Sequence, residues 1–400
     1  MDVKPGYKQT EVGVIPEEWE VKPFAELFAF RNGVNADKNS YGQGVRFINV
    51  LEPITYSHIY GPEITGQVTL PESVTDSYAV RRGDVLFNRT SETQEEVGMA
   101  ATFLGAERVV FGGFVIRGRP LGASLDPIYS GYALRAPFIR SQIIPMGQGA
   151  IRANIGQQNL SLVVVPVPPL PEQRSIAVAL SDVDGLLGGL DRLIAKKRDL
   201  KQAAMQQLLT GQTRLPGFHG EWEVKTLGDV LKVRHGKSQH GITAPDGKYA
   251  ILASGGEIGR TNAYIYDRPS VLIGRKGTID SPQYVDSPFW TVDTLFFTEI
   301  SSDAHAKFVF YKFTMIRWRS YNEASGVPSL NAKTIENIEA TFPPLPEQTA
   351  IAEVLTEMDG ELAGLEQRRE KTRALKQAMM QELLTGKTRL IAGAEVEVTA

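Results

Sequence analysis

The chain has 400 residues, of which 42% are hydrophobic and 22% are charged, a composition typical of a globular protein with two or three domains. It contains no cysteine, which excludes disulfides, thiolate zinc sites and cysteine nucleophiles. It also has neither a signal peptide nor an apolar run of the roughly 20 residues that span a membrane, so we expect a cytoplasmic protein. The formal net charge of −3 argues against a protein that simply coats DNA, because such proteins are usually basic.

The first predicted element is a mixed α+β domain over residues 1–167, which includes an N-terminal segment. Short apolar runs alternate here with Gly, Pro, Asn and Asp, as in RRGDVLFNRT (81–90). Such runs bounded by turn residues are typical of strands. A second domain of the same kind is predicted over residues 212–342, with strand-like runs at 263–279 and 293–300.

A long helix is predicted after each domain, over residues 168–211 and 343–390, and residues 391–400 form a tail. The two helical segments are copies of each other at a constant offset of 175 residues, and 26 of the 45 positions from Pro171 to Leu215 are identical. Pro171 and Pro346 suit the start of a helix, and Gly211 and Gly386 suit its end. Glu172 and Glu347 fall in the first turn, where the helix dipole favours acids.

The apolar positions of both helices are spaced alternately by four and three residues, the spacing of a coiled-coil seam. This pattern is also compatible with a helix packed on its own domain, but two copies of equal length favour pairing with each other. The seam positions are Ile176, Leu180, Val183, Leu187, Leu190 and Ile194 in the first helix, and Ile351, Leu355, Met358, Leu362 and Leu365 in the second.

Charge placement predicts the direction of the pairing. Acidic residues crowd the front of each helix and basic residues the back, so antiparallel packing sets opposite charges against each other twice. The acids are Asp182, Asp184, Asp191, Glu353, Glu357, Asp359 and Glu361; the bases are Lys196, Lys197, Arg198, Lys201, Arg368, Arg369, Lys371, Arg373 and Lys376.

Catalytic motifs are not recognisable in the sequence. Gly386, Lys387 and Thr388 match the end of a phosphate-binding loop, but Gln381 stands where its first glycine is required. His235 and His240 have no flanking acids that would complete a metal site. We therefore expect no catalytic residue, no bound cofactor and no metal in this chain.

Two different domains, each followed by a near-identical helix that begins PLPEQ and ends LLTG, closely resemble the specificity subunits of type I restriction-modification systems. The opening GYKQTEVGVIPEEWEV and the phrases VLIGRKGTI (271–279) and ASGVPSLN (324–331) are also familiar in that family. The first domain departs from these phrases, with FNRTSET (87–93) and GQGAIRANI (147–155) in the corresponding places. The resemblance covers nearly the whole chain.

The resemblance implies an α+β architecture of two target-recognition domains separated by an antiparallel coiled coil, with pseudo-twofold symmetry. It implies a non-catalytic subunit that reads a bipartite, asymmetric double-stranded DNA target with an unread spacer. Two methyltransferase subunits would pack on the helices, and motor-nuclease subunits would join through the complex. S-adenosylmethionine, ATP and magnesium would then belong to the partner subunits.

The candidate DNA-binding residues lie in the phrases that carry the resemblance. Arginine and lysine can bond guanine or phosphate, asparagine can bond adenine, and serine or threonine can bond several bases. The candidates are Arg89, Thr90, Ser91, Arg152 and Asn154 in the first domain, and Arg275, Lys276, Arg317, Arg319, Ser325, Ser329 and Asn331 in the second.

Three other functions are compatible with parts of the sequence. A related methylation-only or phage-defence complex could use the same kind of subunit, and the neighbouring genes would distinguish it. A methyltransferase is disfavoured by the missing cofactor and catalytic motifs. A coiled-coil scaffold without a DNA role would be excluded by sequence-selective DNA binding.

Overall fold

The computed structural model describes residues 3–149 and 152–390, so the predicted tail lies outside the described residues. These residues form two compact units. The first unit contains the chain up to Gly189 together with the chain from Arg369 onward, and the second is Leu190–Arg368. No helix among the described residues is both long and apolar enough to cross a membrane. The predicted domain boundaries stay predictions, because the units divide within the two long helices.

The first unit is rich in short strands. These are β1 (Tyr7–Thr10), β2 (Gly13–Pro16), β3 (Glu20–Pro23), β4 (Phe28–Asn32), β5 (Tyr41–Ile48), β6 (His58–Ile59), β7 (Gln67–Val68), β8 (Val85–Asn88), β9 (Thr90–Ser91), β10 (Ala100–Phe103), β11 (Val109–Phe111), β12 (Val115–Pro120), β13 (Ala153–Asn154) and β14 (Val164–Val167). Its helices are α1 (Phe24–Leu27), α2 (Leu51–Thr55), α3 (Glu72–Ser77), α4 (Pro127–Ala133), α5 (Pro137–Ile143), α6 (Gln157–Leu162), the front of α7 (Leu170–Thr210) and the back of α11 (Leu345–Leu383).

A five-stranded sheet of order β4-β12-β8-β10-β6 forms the centre of the first domain, beside a three-stranded sheet of order β11-β5-β7. All four residues of β8 are buried. Val85 and Phe87 belong to one apolar cluster, whereas Leu86 belongs to another. Because side chains alternate between the faces of a strand, the continuous apolar run of β8 serves two core clusters at once. The residues that follow β8 are thereby held in a fixed position.

The second unit repeats this plan with fewer strands. They are β15 (Glu223–Thr226), β16 (Leu231–His235), β17 (Tyr249–Ala253), β18 (Gly256–Thr261), β19 (Ser270–Gly274), β20 (Gln283–Val285), β21 (Phe289–Thr291), β22 (Leu295–Ile300) and β23 (Glu339–Phe342). The helices are the back of α7, α8 (Leu227–Val230), α9 (Ala306–Met315), α10 (Ala332–Glu336) and the front of α11 (Leu345–Leu383).

The sheets of the second domain have the orders β16-β22-β19-β20 and β18-β17-β21. Strand β19 is buried along its whole length, as β8 is. Val271 and Ile273 belong to the cluster that also contains residues of the long helices, whereas Leu272 belongs to a separate cluster. Each domain therefore contains its own fully buried strand, β8 in the first and β19 in the second, which fixes the chain segment that follows it.

The long helices begin and end close to the predicted residues. Helix α7 begins one residue before Pro171 and ends at Thr210, and α11 begins one residue before Pro346. Gly211 and Gly386 have φ of 73° and 71°, the left-handed conformation that glycine adopts without strain and that ends a helix.

Within each unit the two long helices run antiparallel, which confirms the predicted direction. In the first unit Asp184 pairs with Lys376 at 2.7 Å, and Glu172, earlier in α7, pairs with Arg389, later in the chain. In the second unit Lys201 pairs with Asp359, and an earlier residue of α7 pairs with a later residue of α11. Acidic fronts therefore face basic backs in both units, as the charge pattern predicts. The predicted α+β class, with two domains and paired long helices, is confirmed.

Candidate nucleic-acid interface

Arg89 directly follows the buried strand β8. Its backbone N–H donates to the carbonyl of Phe114 at 2.8 Å, and its own carbonyl accepts from the N–H of Ile155 at 3.0 Å. The guanidinium lies 3.3 Å from the carbonyl of Gly113. The backbone of this arginine is thus clamped between two segments that are distant in sequence.

The other candidates of the first domain lie beside Arg89. Strands β9 and β13 pair so that Thr90 is opposite Asn154, and the Thr90 hydroxyl donates to Oδ1 of Asn154 at 2.6 Å. The Asn154 amide donates to the carbonyl of Arg152 at 3.0 Å. The structure therefore brings all five first-domain candidates together from two stretches that are more than 60 residues apart.

Ser91 is the exception in accessibility among these five. Its side chain is buried, and its hydroxyl donates to the carboxylate of Glu96 at 2.7 Å. Arg152, in contrast, is more than half exposed and lies 3.5 Å from Glu92. Ser91 therefore orients its neighbours, whereas Arg152 is available to a ligand.

A cleft of about 430 Å³ opens beside these residues. It is lined by Asn49, Val50, Leu51, Ile54, Thr90, Ser91, Glu92, Glu96, Phe114 and Arg152. Both hydrogen-bond donors and acceptors line it, together with the half-exposed ring of Phe114.

Arg275 occupies the equivalent place in the second domain, directly after β19. Its N–H donates to the carbonyl of Thr294 at 2.8 Å, and its carbonyl accepts from the N–H of Leu330 at 2.9 Å. The next residue, Lys276, forms a β-bridge with Ser329, just as Thr90 pairs with Asn154 in the first domain. The same backbone frame therefore carries an arginine in both domains.

A second cleft of about 260 Å³ lies beside this frame. Asn331 lines it and caps α10, because its side chain accepts from the N–H of Lys333 at 2.9 Å. The lining residues are His235, Arg275, Lys276, Phe296, Glu323, Ser329, Leu330, Asn331 and Ala332.

Three candidates of the second domain do not line this cleft: Ser325, Arg317 and Arg319. Ser325 and Arg317 are exposed. Arg319 pairs with Asp280 at 2.5 Å, and this hydrogen bond lowers the pKa of the carboxyl. Trp318 between the two arginines is buried, so it serves the core of the domain.

Sequence reasoning missed several lining residues, among them Asn49 and Phe114 in the first cleft and His235 and Glu323 in the second. Each of these residues lies far along the chain from the framed arginine of its own domain, Arg89 or Arg275. The only local signal is the GGF sequence at 112–114, where two glycines precede an exposed aromatic ring. Among the described residues, no group of three or more His, Asp or Glu side chains could hold a metal ion.

The repeated PEQ residues join the first domain to the long helices. Glu172 is buried and accepts from the indole N–H of Trp19 at 2.9 Å and from the guanidinium of Arg389 at 2.7 and 2.9 Å. Gln173 accepts from the N–H of Asp126 at 2.8 Å and donates to two carbonyls. The first-turn acid predicted to serve the helix dipole is therefore also half of a buried ion pair.

The second unit has the same joint. Arg214, which follows α7, donates twice to the buried carboxylate of Glu347 at 2.5 Å, and this hydrogen bonding raises the pKa of the arginine. Gln348 accepts from the N–H of His305 at 2.9 Å. The identity of the two repeat copies is thus explained by two equivalent joints between a domain and the helices.

Two mixed domains, each with a cleft lined by an arginine (Arg152 in the first and Arg275 in the second) and each joined to antiparallel helices, define a class of paired-domain proteins. Residues 219–373 match the family described as the type I restriction modification DNA specificity domain. The chain is 26% identical to a type I restriction enzyme specificity subunit (MjaX) of Methanocaldococcus jannaschii, over 96% of this chain and 97% of that one. It is 25% identical to the StySPI specificity subunit of Salmonella potsdam over 55% of this chain and 49% of the relative.

Solved structures share the fold. The specificity subunit of the type I system from M. genitalium superposes with a TM-score of 0.62 at 16% identity, covering 96% of this chain and 98% of that one. The corresponding subunit from Thermoanaerobacter tengcongensis gives a TM-score of 0.51 at 18% identity, covering 94% and 98%. The chain is thus similar along nearly its whole length to specificity subunits of type I restriction-modification systems, and it shares their fold.

Proposed function

We propose that each domain reads one half of a split DNA target through the cleft beside its arginine. The observation that carries this proposal is the shared frame of Arg89 and Arg275, which is held by equivalent backbone hydrogen bonds in two domains of different sequence. An arginine in a fixed position can bond guanine in the major groove or a phosphate.

The side chains around the two arginines differ, so the two half-sites are expected to differ. Thr90, Arg152 and Asn154 lie beside Arg89 in the first domain, whereas Lys276 and Ser329 lie beside Arg275 in the second. Asparagine pairs best with adenine and lysine with guanine or phosphate. The target is therefore asymmetric, and the remaining candidates, Ser91, Arg317, Arg319, Ser325 and Asn331, are proposed to position or flank these contacts.

The helices are proposed to hold the two half-sites apart and to seat two methyltransferase subunits. Leu186, Leu193 and Leu200 recur every seven residues along α7 and are 40–48% exposed. An exposed apolar stripe of this kind on a helix is suited to a protein partner. The chain itself is proposed to be non-catalytic. Motor-nuclease subunits join through the methyltransferases, and S-adenosylmethionine, ATP and magnesium bind to the partners.

Co-expression with the adjacent methyltransferase gene, followed by mapping of N6-methyladenine across the host genome, tests the proposal. The expected result is one motif of two short, different blocks around a fixed spacer, methylated once on each strand. A continuous or palindromic motif would contradict the two-domain reading of a split target. An assembled complex without new methylation would favour a scaffold without a DNA role. A restriction gene beside the methyltransferase gene would distinguish a full restriction system from a methylation-only or phage-defence complex.

A further inference from the structure

A tyrosine of the first domain contacts both long helices at one point. The Tyr132 hydroxyl, from α4, donates to Asp184 of α7 at 2.8 Å and lies 3.3 Å from Ser181. Asp184 also accepts from Lys376 of α11 at 2.7 Å, and the Lys376 ammonium lies 5.2 Å from the centre of the Tyr132 ring. We call Tyr132, Asp184 and Lys376 the first clasp.

The second unit contains the same arrangement, built from equivalent repeat positions. The Tyr311 hydroxyl, from α9, donates to Asp359 of α11 at 2.7 Å and lies 3.4 Å from Thr356. Asp359 pairs with Lys201 of α7, whose ammonium lies 5.6 Å from the centre of the Tyr311 ring. Tyr311, Asp359 and Lys201 form the second clasp. Its aspartate and lysine are the 175-residue counterparts of Asp184 and Lys376 with the helices exchanged.

Each tyrosine helix is fixed at a second point as well. Asp126 caps α4 six residues before Tyr132, and its N–H donates to Gln173 at the front of α7. His305 caps α9 six residues before Tyr311, and its N–H donates to Gln348 at the front of α11. Two contacts at fixed spacing determine both the position and the rotation of a domain on the helices.

The two tyrosines of the clasps are buried, whereas the aspartates that accept their hydrogen bonds are 37% and 42% exposed. Tyr132 and Tyr311 are each 2% exposed, and burial beside a carboxylate raises the pKa of both phenols, so they remain hydrogen-bond donors. A buried donor that loses its acceptor costs roughly 1–3 kcal/mol, so a domain that slid along the helices would lose this bond without compensation from water.

We propose that the two clasps set the register of each domain along the helices and thereby the number of base pairs between the half-sites. This inference rests on the proposed function. One base pair of B-DNA corresponds to about 3.4 Å along the axis. A shift of that size exceeds the tolerance of a hydrogen bond, so an intact clasp excludes spacers that are one base pair too long or too short. Tyr132 and Tyr311 are accordingly positioning residues that do not contact DNA.

The test uses the full complex with methyltransferase subunits and the double variant Tyr132→Phe/Tyr311→Phe, which removes only the two hydroxyls. Methylation is measured on duplexes with the same half-sites and with the natural spacer or a spacer one base pair longer or shorter. The expected result is a rise of about tenfold or more in methylation of the altered spacers relative to the natural one, with the required bases unchanged. This rise corresponds to about 1.4 kcal/mol or more of lost discrimination.

Two further variants keep the outcome interpretable. Tyr7→Phe removes the hydrogen bond from Tyr7 to the carbonyl of Gly386 at 3.0 Å, elsewhere in the first unit, and should keep the wild-type spacer preference. Lys201→Gln/Lys376→Gln weakens the clasps without altering the aromatic core, and it should also relax the spacer preference. It replaces the tyrosine variant in the test if that variant does not assemble.

The inference would be overturned if both clasp variants kept the spacer discrimination of the wild type. It would also be overturned if Tyr7→Phe relaxed the spacer preference as much as the clasp variants do. A wild-type complex without a split target would overturn the proposed function itself, which is a distinguishable result.

Discussion

The two arginines that follow β8 and β19 show how a single residue can be positioned by atoms other than its own side chain. Arg89 and Arg275 are held through their backbone N–H and carbonyl groups. Because the backbone is fixed, each guanidinium extends from a defined point beside its cleft, and little conformational entropy of the main chain would remain to be lost if a ligand bound there.

We expect Arg275→Ala to weaken binding of the assembled complex to its cognate DNA by about tenfold to a hundredfold, or about 1–3 kcal/mol, because a contact to guanine or phosphate is lost. Fluorescence anisotropy over a range of salt concentrations measures the effect. Arg268→Ala, which removes an exposed arginine outside the cleft, is the matched control. Unchanged affinity and salt dependence in Arg275→Ala would remove this residue from the interface.

Lys312 is a residue whose charge conflicts with its surroundings. It is 9% exposed, and its ammonium lies 5.4–5.7 Å from the ring centres of Trp222, Phe308 and Phe342. Aromatic faces favour a cation. Burial nevertheless outweighs them and lowers the pKa of Lys312 from its ordinary value of 10.5 to about 8.

The stability of the chain should therefore rise with pH above about 8, because from there up to pH 10.5 the unfolded chain holds a proton on Lys312 that the folded chain has released. Below pH 8 both states are protonated and the gain is absent. The difference in unfolding free energy between wild type and Lys312→Met should increase by about 2 kcal/mol from pH 7 to pH 9.5. Urea unfolding at both pH values measures it, and a difference that does not change with pH would contradict the assignment.

At the scale of elements, the ends of the long helices are coupled by the buried pairs Glu172–Arg389 and Glu347–Arg214. Both carboxylates are at most 4% exposed. A buried ion pair contributes little net stability compared with an apolar pair, but removal of one partner leaves an uncompensated charge. The joints therefore fix which helix ends meet more than they add to total stability.

We expect Arg389→Met to destabilise the first unit by about 3–5 kcal/mol, since it leaves the carboxylate of Glu172 without its cation. The double variant Glu172→Gln/Arg389→Met should recover part of this loss, because the buried charge is then gone. Thermal unfolding of the two variants and of Glu172→Gln alone supplies the comparison. A double variant that loses as much as the sum of the single variants would show that the pair is not coupled.

At the scale of the whole molecule, the two long helices are near-copies that differ on one face. The positions of α11 that correspond to the exposed Leu186 and Leu193 of α7 are Glu361 and Arg368. The third stripe residue, Leu200, has an exposed leucine counterpart in Leu375, so the full three-leucine stripe is found on α7 and not on α11. The stripe predicts both partner binding and self-association of the isolated chain.

Leu193→Glu should reduce self-association of the isolated chain and weaken its assembly with the methyltransferase subunit, because a charge would replace exposed apolar surface. Light scattering after size-exclusion chromatography measures the first effect, and co-purification measures the second. Leu162→Glu changes an exposed leucine of α6 in the first domain and should alter neither. Normal assembly of Leu193→Glu would place the methyltransferase elsewhere.

The helix pairing could be predicted from the sequence because its signals are local. These signals are the spacing of Ile176 and Leu180, the gapless repeat, the segregation of charge, and Gly211 and Gly386 at the helix ends, each of which can be read from contiguous stretches of chain. The class of protein could be predicted for a related reason, since the repeat and its PLPEQ and LLTG borders are contiguous patterns.

The interface and the clasps were decided by the tertiary structure alone. Phe114 reaches its cleft from the turn between β11 and β12, His235 reaches its cleft from the end of β16, and Tyr132 meets Asp184 across 52 residues. Glu172 shows both levels at once. Its place in the first helical turn was evident from the sequence, but its pairing with Arg389, 217 residues away, was not. Periodicity and charge order determine an element and its partner, whereas side chains that meet across loops depend on how the whole chain packs.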